Sequence, residues 1–101
     1  MDALAALADP TRRQILETLA HGRRSSGEIA SLFDISAPAV SQHLKRLQRA
    51  RLVRVRAEAQ RRIYELDKEG VDELARWVTG LQTFWSDRFD ALDTALRSDQ
   101  Q

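Results

Sequence analysis

The 101-residue sequence contains no cysteine, only two histidines and only two prolines, and these scarcities remove several classes of function. Without cysteine the chain has no disulfide, no thiolate metal site and no cysteine nucleophile. His21 and His43 lie far apart in sequence, and neither has a second metal ligand at a suitable spacing. No apolar run approaches the roughly 18–20 residues that cross a bilayer. We therefore expect a cytoplasmic protein with no metal site and no cofactor.

Patterns typical of catalysis are also missing. The sequence has no nucleophile, base and acid at a catalytic spacing, no glycine-rich phosphate loop and no paired carboxylates in an apolar setting. An enzyme is therefore not expected.

Charge is distributed unevenly along the chain, although the net charge is only +1. Residues 12–62 carry twelve Lys and Arg against four Asp and Glu, a net charge of +8, whereas residues 65–101 carry four against nine, a net charge of −5. A basic middle between acidic ends indicates a surface that faces a polyanion. Ordinary solvated charge explains the same counts about equally well, so charge alone does not decide.

Capping signals divide the basic part of the chain into short helices. Asp9-Pro10 predicts a helix start, and this helix is expected to end at Gly22. Ser25, followed three residues later by Glu28, predicts a capping box. The short helix that it opens has Ile29, Leu32 and Phe33 on one side.

A third helix is predicted over residues 36–50, with Ser36 as its N-cap. Val40, Leu44 and Leu47 recur at i, i+4 and i+7, which predicts one buried stripe. The remaining polar and small residues are expected to point outward: Ala37, Ser41, Gln42, Lys45, Arg46 and Arg49.

The helical period is lost after Ala50, and two strands are predicted at 52–56 and 61–66 with a turn at 57–60. Four arginines give this hairpin a positive charge suited to the DNA backbone or the minor groove: Arg54, Arg56, Arg61 and Arg62.

A long amphipathic helix is predicted from Asp67 onward, with apolar residues three or four apart. So much apolar surface on a small chain has to be buried, and a dimer interface is favoured over a pocket for a small hydrophobic effector. The predicted interface also includes two residues near the N-terminus, and its members are Leu4, Leu7, Leu74, Trp77, Val78, Leu81, Phe84, Trp85, Phe89 and Leu92.

Two short helices joined by a tight turn form a helix-turn-helix, and the hairpin adds a wing. The helix at 36–50 is then the recognition helix. Gln42 suits a bidentate contact with adenine, while Lys45, Arg46 and the serine hydroxyls suit phosphates or guanine.

Three further basic side chains each have two interpretations. His43 is equally suited to contact DNA or to pack within the protein. Arg12 and Arg13 follow a helix start, where positive charge is unfavourable, so a phosphate contact there is plausible. An ion pair from Arg13 to Glu17, four residues on, is the safer interpretation.

Taken together, ALADPTRRQILETL, GEIASLFDISAPAVSQHLKRLQRARLVRVR and RRIYEL resemble the ArsR/SmtB winged-helix repressors of bacteria and archaea. The resemblance covers about residues 4–66. It implies a homodimer formed by the first and last helices, bound to a two-fold symmetric operator, often that of its own operon. By position it places Ser36, Ala37, Pro38, Ser41, Gln42 and His43 on the recognition helix and Arg61 and Arg62 on the wing.

The sequence departs from the metal-sensing members that it resembles. Where one of their sites uses cysteine, this chain has Arg24-Ser25-Ser26, and where another uses Asp and His on the last helix, this helix has no histidine. The resemblance is therefore to a metal-independent subgroup.

These observations predict a mainly α fold with a small β-hairpin, a single winged helix-turn-helix domain over residues 1–101. Residues 10–66 are its DNA-binding core, with the wing at about 52–66, and residues 1–8 and 67–97 are dimerisation helices. The predicted function is that of a dimeric (auto)repressor of a palindromic operator, not controlled by metal. The alternative is a winged-helix protein-interaction module with only non-specific affinity for DNA.

Overall fold

The computed structural model describes residues 2–99, in which five helices and three strands form two compact units, one up to Val71 and one from Asp72 onward. The elements are α1 (Asp2–Ala6), α2 (Pro10–Ala20), β1 (Arg24–Ser25), α3 (Ser26–Phe33), α4 (Ala37–Arg49), β2 (Val53–Glu58), β3 (Arg61–Leu66) and α5 (Lys68–Asp99). The mainly helical fold with a small antiparallel sheet is the one that the sequence predicts. Met1, part of the predicted helix at 1–8, lies outside the described residues.

The predicted helix caps are present with the expected hydrogen bonds. Asp9 Oδ2 accepts the N–H of Arg12 at 2.9 Å, and Ser36 Oγ accepts the N–H of Ala39 at 3.3 Å. Both halves of the capping box at Ser25 and Glu28 form, each at 3.2 Å. These bonds satisfy first-turn N–H groups that have no partner inside the helix, so they fix where α2, α3 and α4 begin.

The sheet has three antiparallel strands in the order β1-β3-β2. In the hairpin, Val53 pairs with Leu66 and Glu58 pairs with Arg61, so only residues 59 and 60 remain as the turn. The predicted turn at 57–60 is therefore wrong in its first two residues. Ala59 takes the left-handed conformation (φ 55°) that a two-residue hairpin turn requires, in a place where glycine is more usual.

The core of the first unit lies between the helices and the sheet. Ile15, Ile29, Leu47 and Leu52 are fully buried there. The predicted stripe of α4 is confirmed, since Val40 and Leu44 are also almost completely buried. By contrast Leu32, on the same side of α3 as Ile29 in the sequence analysis, is 61% exposed.

Arg12 and Arg13 bind the end of α1. Arg12 Nε donates to the carbonyl of Ala6 at 2.5 Å, and Arg13 Nη1 donates to the carbonyl of Leu7 at 2.7 Å. Cationic side chains at the C-terminal end of a helix satisfy its last carbonyls and interact favourably with its dipole. The predicted ion pair from Arg13 to Glu17 is not among the contacts of residues 2–99.

The helix α5 spans 32 residues, about 48 Å at 1.5 Å per residue. Asp67 Oδ1 accepts the N–H of Gly70 at 3.3 Å, which confirms the predicted start. Within residues 2–99, no helix is both long enough and apolar enough to cross a membrane.

Candidate nucleic-acid interface

The connection between α3 and α4 is a three-residue turn at residues 34–36. Asp34 ends α3 in the left-handed conformation (φ 52°), a state that Asp tolerates better than most residues. Ser36 then caps α4. The two helices are thus joined as closely as a helix-turn-helix requires.

The recognition helix α4 has one buried face and one polar face. Helical geometry places four exposed residues within an arc of roughly 100°. They are Pro38, Ser41, Gln42 and Lys45. Ser36 and Ala37, at the start of the helix, are also exposed. The structure therefore brings six of the predicted contact residues together along α4 from its N-cap, Ser36, to Lys45.

His43 and Arg46 lie at the flank of this face and are half-buried. The His43 side chain is 22% exposed, and its Nδ1 lies 3.9 Å from Asp9 Oδ2. The pKa of Asp9 is lowered by the hydrogen bond from the Arg12 N–H, with a smaller contribution from the charge of His43. Of the two interpretations of His43, this geometry favours packing against the start of α2.

Most arginines of the wing are already paired with carboxylates. Arg54 Nε lies 3.1 Å from Glu65 Oε1, and Arg61 Nη2 lies 2.9 Å from Glu28 Oε1. Glu58 contacts both Arg23 and Arg56, at 3.5 and 3.2 Å. The wing is thus less positive than its arginine count suggests, which the sequence alone does not indicate because the partners are distributed over three elements.

Arg62 differs from the other predicted wing residues. It is exposed, and the structure of residues 2–99 gives it no ion pair or hydrogen bond. Its charge is therefore fully available to an anion.

Glu28 joins the wing to the helix-turn-helix, a role that sequence analysis missed. Its pKa is lowered by the hydrogen bond from the backbone N–H of Ser25, then by the Ser25 side chain, and less by the charge of Arg61. The capping-box pattern identified this residue as a cap, but nothing in the sequence pointed to its partner 33 positions later.

The residues predicted for the dimer interface lie in both units. Leu4 is 44% exposed and Leu7 is half-buried in the first unit. In the second unit Leu74 is half-buried, whereas the others are exposed by 39–63%: Trp77, Val78, Leu81, Phe84, Trp85, Phe89 and Leu92. The Phe84 and Trp85 rings meet edge-on at 5.8 Å, and the guanidinium of Arg88 lies 4.6 Å from the Phe84 ring centre.

No cluster of three or more His, Cys, Asp or Glu that could hold a metal ion occurs in the part of the chain that the structure describes. This finding leaves metal-independence as a prediction.

Comparison with known proteins places the chain in a family. Residues 7–56 match a family model described as a helix-turn-helix domain. The chain is 52% identical over 84 residues to the HTH-type transcriptional regulator Rv2034 of Mycobacterium tuberculosis, covering 83% of this chain and 76% of that protein. The crystal structure of an ArsR family transcriptional regulator superposes with a TM-score of 0.74 at 29% identity, covering 84% and 88% of the two chains. The chain belongs to the ArsR family of winged helix-turn-helix transcriptional regulators.

Two other comparisons are informative about assembly and regulation. The chain is 36% identical to the transcriptional repressor SdpR of Bacillus subtilis, covering 72% of this chain and 81% of that one. It also superposes with a TM-score of 0.68, at 32% identity, on the homodimeric winged helix-turn-helix domain of Mb0332 from Mycobacterium bovis, covering 81% and 76%. ArsR-family proteins are DNA-binding transcriptional regulators and not enzymes, as the sequence analysis expected.

Proposed function

We propose that this ArsR-family protein is a homodimeric, sequence-specific repressor that binds a palindromic operator, including one at its own promoter, without control by a metal. Its place of action is the cytoplasm, where the DNA is. The proposal is carried by one observation: an exposed polar face on α4, presented by a helix whose opposite face is almost completely buried.

Burial of that opposite face matters because base recognition requires a fixed register. Val40, Leu44 and Leu47 are each at most 1% exposed, so α4 cannot rotate or slide without breaking the core. Ser41 and Gln42 are then held at a constant height and angle. A glutamine held in this way suits the N6 and N7 atoms of adenine in the major groove.

The wing supplies contacts to the DNA backbone. Arg62 has no protein partner among residues 2–99. Arg61 can exchange the exposed carboxylate of Glu28 for a phosphate, and Arg54 can exchange the partly exposed carboxylate of Glu65. Exposed ion pairs contribute little to stability, so this exchange costs little. Lys45 and Arg46 on α4, with these wing arginines, complete the proposed set of phosphate contacts.

Dimerisation is proposed through the helices at 1–8 and 67–97, flanking the DNA-binding core at 10–66. The apolar stripe of α5 is the main support, because eight of its large apolar side chains are exposed by 39–63%. The homodimeric Mb0332 domain supports the same assembly. Two-fold symmetry would place two recognition helices about 34 Å apart, in successive major grooves of a palindromic site. A small hydrophobic effector bound at this stripe is the alternative use of the same residues.

The test is a titration of the protein against the DNA upstream of its own gene and against scrambled DNA, each at two salt concentrations. Gln42→Ala is compared with Gln48→Ala, which removes an exposed glutamine from the C-terminal part of the same helix. We expect Gln42→Ala to weaken promoter binding about 5- to 150-fold, with scrambled DNA and Gln48→Ala unaffected. Equal, weak binding to both DNAs by all three proteins would instead indicate a protein-interaction module.

A further inference from the structure

A recessed cleft of about 200 Å³ opens between the start of α3, the first turns of α4 and the strand β3. Ala30 and Val40 contribute apolar surface, and Ser26, Ser41 and Arg62 contribute polar groups. All of these residues belong to the first unit.

Tyr64 lines the same cleft and carries a polar group without a partner. It is only 7% exposed, and the structure of residues 2–99 gives its hydroxyl no hydrogen bond. No fully buried side-chain nitrogen or oxygen among the described residues lacks a hydrogen-bond partner, so this hydroxyl is open to solvent. Because Tyr64 lines the cleft, its phenol is free to form a hydrogen bond with a ligand that enters there.

The other polar groups indicate that the ligand is an anion. Arg62 brings a positive charge with no ion-pair partner among the described residues. Gly27 is the second residue of α3, so its N–H group has no partner within the helix, and the positive end of the helix dipole lies beside it. Ser25 Oγ is not available to it, since it caps the N–H of Glu28.

We propose that this cleft binds a small organic anion, with an apolar body against Ala30 and Val40 and a carboxylate near Arg62 and the Tyr64 hydroxyl. The size fits such a ligand, because an engineered apolar cavity of about 150 Å³ takes up benzene. Benzoate is therefore a suitable probe.

Occupation of the cleft has a regulatory consequence that rests on the proposed DNA-binding function. Ser41 and Arg62 line the cleft and are also proposed DNA contacts. A ligand that pairs with Arg62 and covers Ser41 binds the DNA-free protein better than the complex, and a ligand with that preference releases the protein from its operator.

Ligand binding is tested on the DNA-free protein by titrating ¹⁵N-labelled full chain with benzoate and, as the neutral counterpart, benzyl alcohol. We expect saturable shifts at the amides of Gly27, Ser41 and Tyr64 with benzoate and much weaker ones with benzyl alcohol. Tyr64→Phe and Arg62→Gln should each weaken benzoate binding at least about tenfold, because each removes a hydrogen bond to a charged group. Arg23→Gln removes an arginine outside the cleft and should leave benzoate binding unchanged. Thermal unfolding of each variant checks that it is folded.

Three results would overturn the proposal: no saturable shifts with millimolar benzoate, equal binding of benzyl alcohol, or equal weakening by Arg23→Gln and Tyr64→Phe. The same benzoate is then added to the complex with promoter DNA, where we expect release from wild type but not from Tyr64→Phe. Weaker DNA binding by Tyr64→Phe, with no effect of benzoate, would mean that the cleft holds a DNA phosphate instead. Benzoate binding without any promoter binding would contradict the proposed function, whereas the proposed ligand site would still be supported.

Discussion

Arg61 Nη2 of the wing lies 2.9 Å from Glu28 Oε1, the same oxygen that accepts the N–H of Ser25 at 3.2 Å. One carboxylate therefore caps α3 and holds the wing. Arg62, the next residue, has no such partner among residues 2–99. In the DNA-free protein the two adjacent arginines of the wing therefore differ, because Arg61 is paired with a carboxylate and Arg62 is not.

This inequality predicts different salt dependences for the two arginines. Arg62→Ala should lower the slope of log affinity against log salt by about 0.9, since a free charge neutralises one phosphate. Arg61→Ala should lower the slope by less, because the guanidinium has to leave Glu28 first. Fluorescence anisotropy with promoter DNA over a series of salt concentrations measures both slopes.

Glu28→Gln provides the control for this comparison. The glutamine oxygen can still accept the Ser25 N–H, but the charge that holds Arg61 is gone. In this background Arg61→Ala should reduce the slope as much as Arg62→Ala does, a coupling that a double-mutant cycle isolates. Equal slopes for both single arginine variants in the wild-type background would refute the argument.

The lowered pKa of Glu28 predicts loss of stability in acid. A carboxyl group whose pKa is lower in the folded protein than its ordinary value of 4.5 stabilises the fold fully above that pH. The contribution disappears as the pH falls through the lowered pKa. Glu28→Gln should therefore be less stable than wild type at neutral pH and should lose less stability on acidification.

Urea unfolding at a series of pH values between about 7 and 3 tests this expectation. Some acid sensitivity should remain in Glu28→Gln, because the pKa of Asp9 is lowered in the same direction. Identical pH profiles for Glu28→Gln and wild type would show that the Ser25 and Arg61 contacts do not act on the Glu28 carboxylate in solution.

Features that depend on neighbours in sequence were predictable. The caps at Asp9, Ser25 and Ser36 and the buried stripe of α4 each follow from residues within seven positions of one another. The exposure of Ser41 and Gln42 followed from the same helical period. These local rules were sufficient to define the winged helix-turn-helix.

Features that depend on distant partners were not predictable. β1 has two residues and is defined by backbone pairing with β3, which leaves no side-chain pattern. The partners of Arg12 and Arg13 are near in sequence, five to seven residues earlier, but they are backbone carbonyls, and no side-chain pattern reveals them. The charges of the wing looked free because the partner of Arg61, Glu28, is 33 residues away.

The exposed stripe of α5 predicts a dimer that one substitution disrupts. Trp85→Glu places a charge among apolar side chains that the proposed interface buries, and we expect the dissociation constant to rise at least about 30-fold. Thr83→Glu is the matched control, because helical geometry places Thr83 opposite the stripe. Sedimentation equilibrium measures both. Unchanged dimerisation in Trp85→Glu would contradict the interface, and equal weakening by both variants would point to net charge.

Two glycines of α5 should respond to alanine in opposite directions. A Cβ atom at Gly70 would lie 1.5 Å from the carbonyl oxygen of Arg51, so the start of α5 fits against the turn between α4 and β2 only without a side chain. Backbone cannot yield as a flexible side chain does, and Gly70→Ala should lower the free energy of unfolding by at least about 2 kcal/mol.

At Gly80 an added Cβ would meet no atom within 4 Å. There alanine only removes the conformational entropy of glycine in a helix, and Gly80→Ala should raise the free energy of unfolding by about 0.5–1 kcal/mol. Chemical denaturation at one fixed protein concentration measures both changes, since dimerisation would make stability depend on concentration. If Gly70→Ala were as stable as wild type, the packing of residue 70 against Arg51 would be wrong.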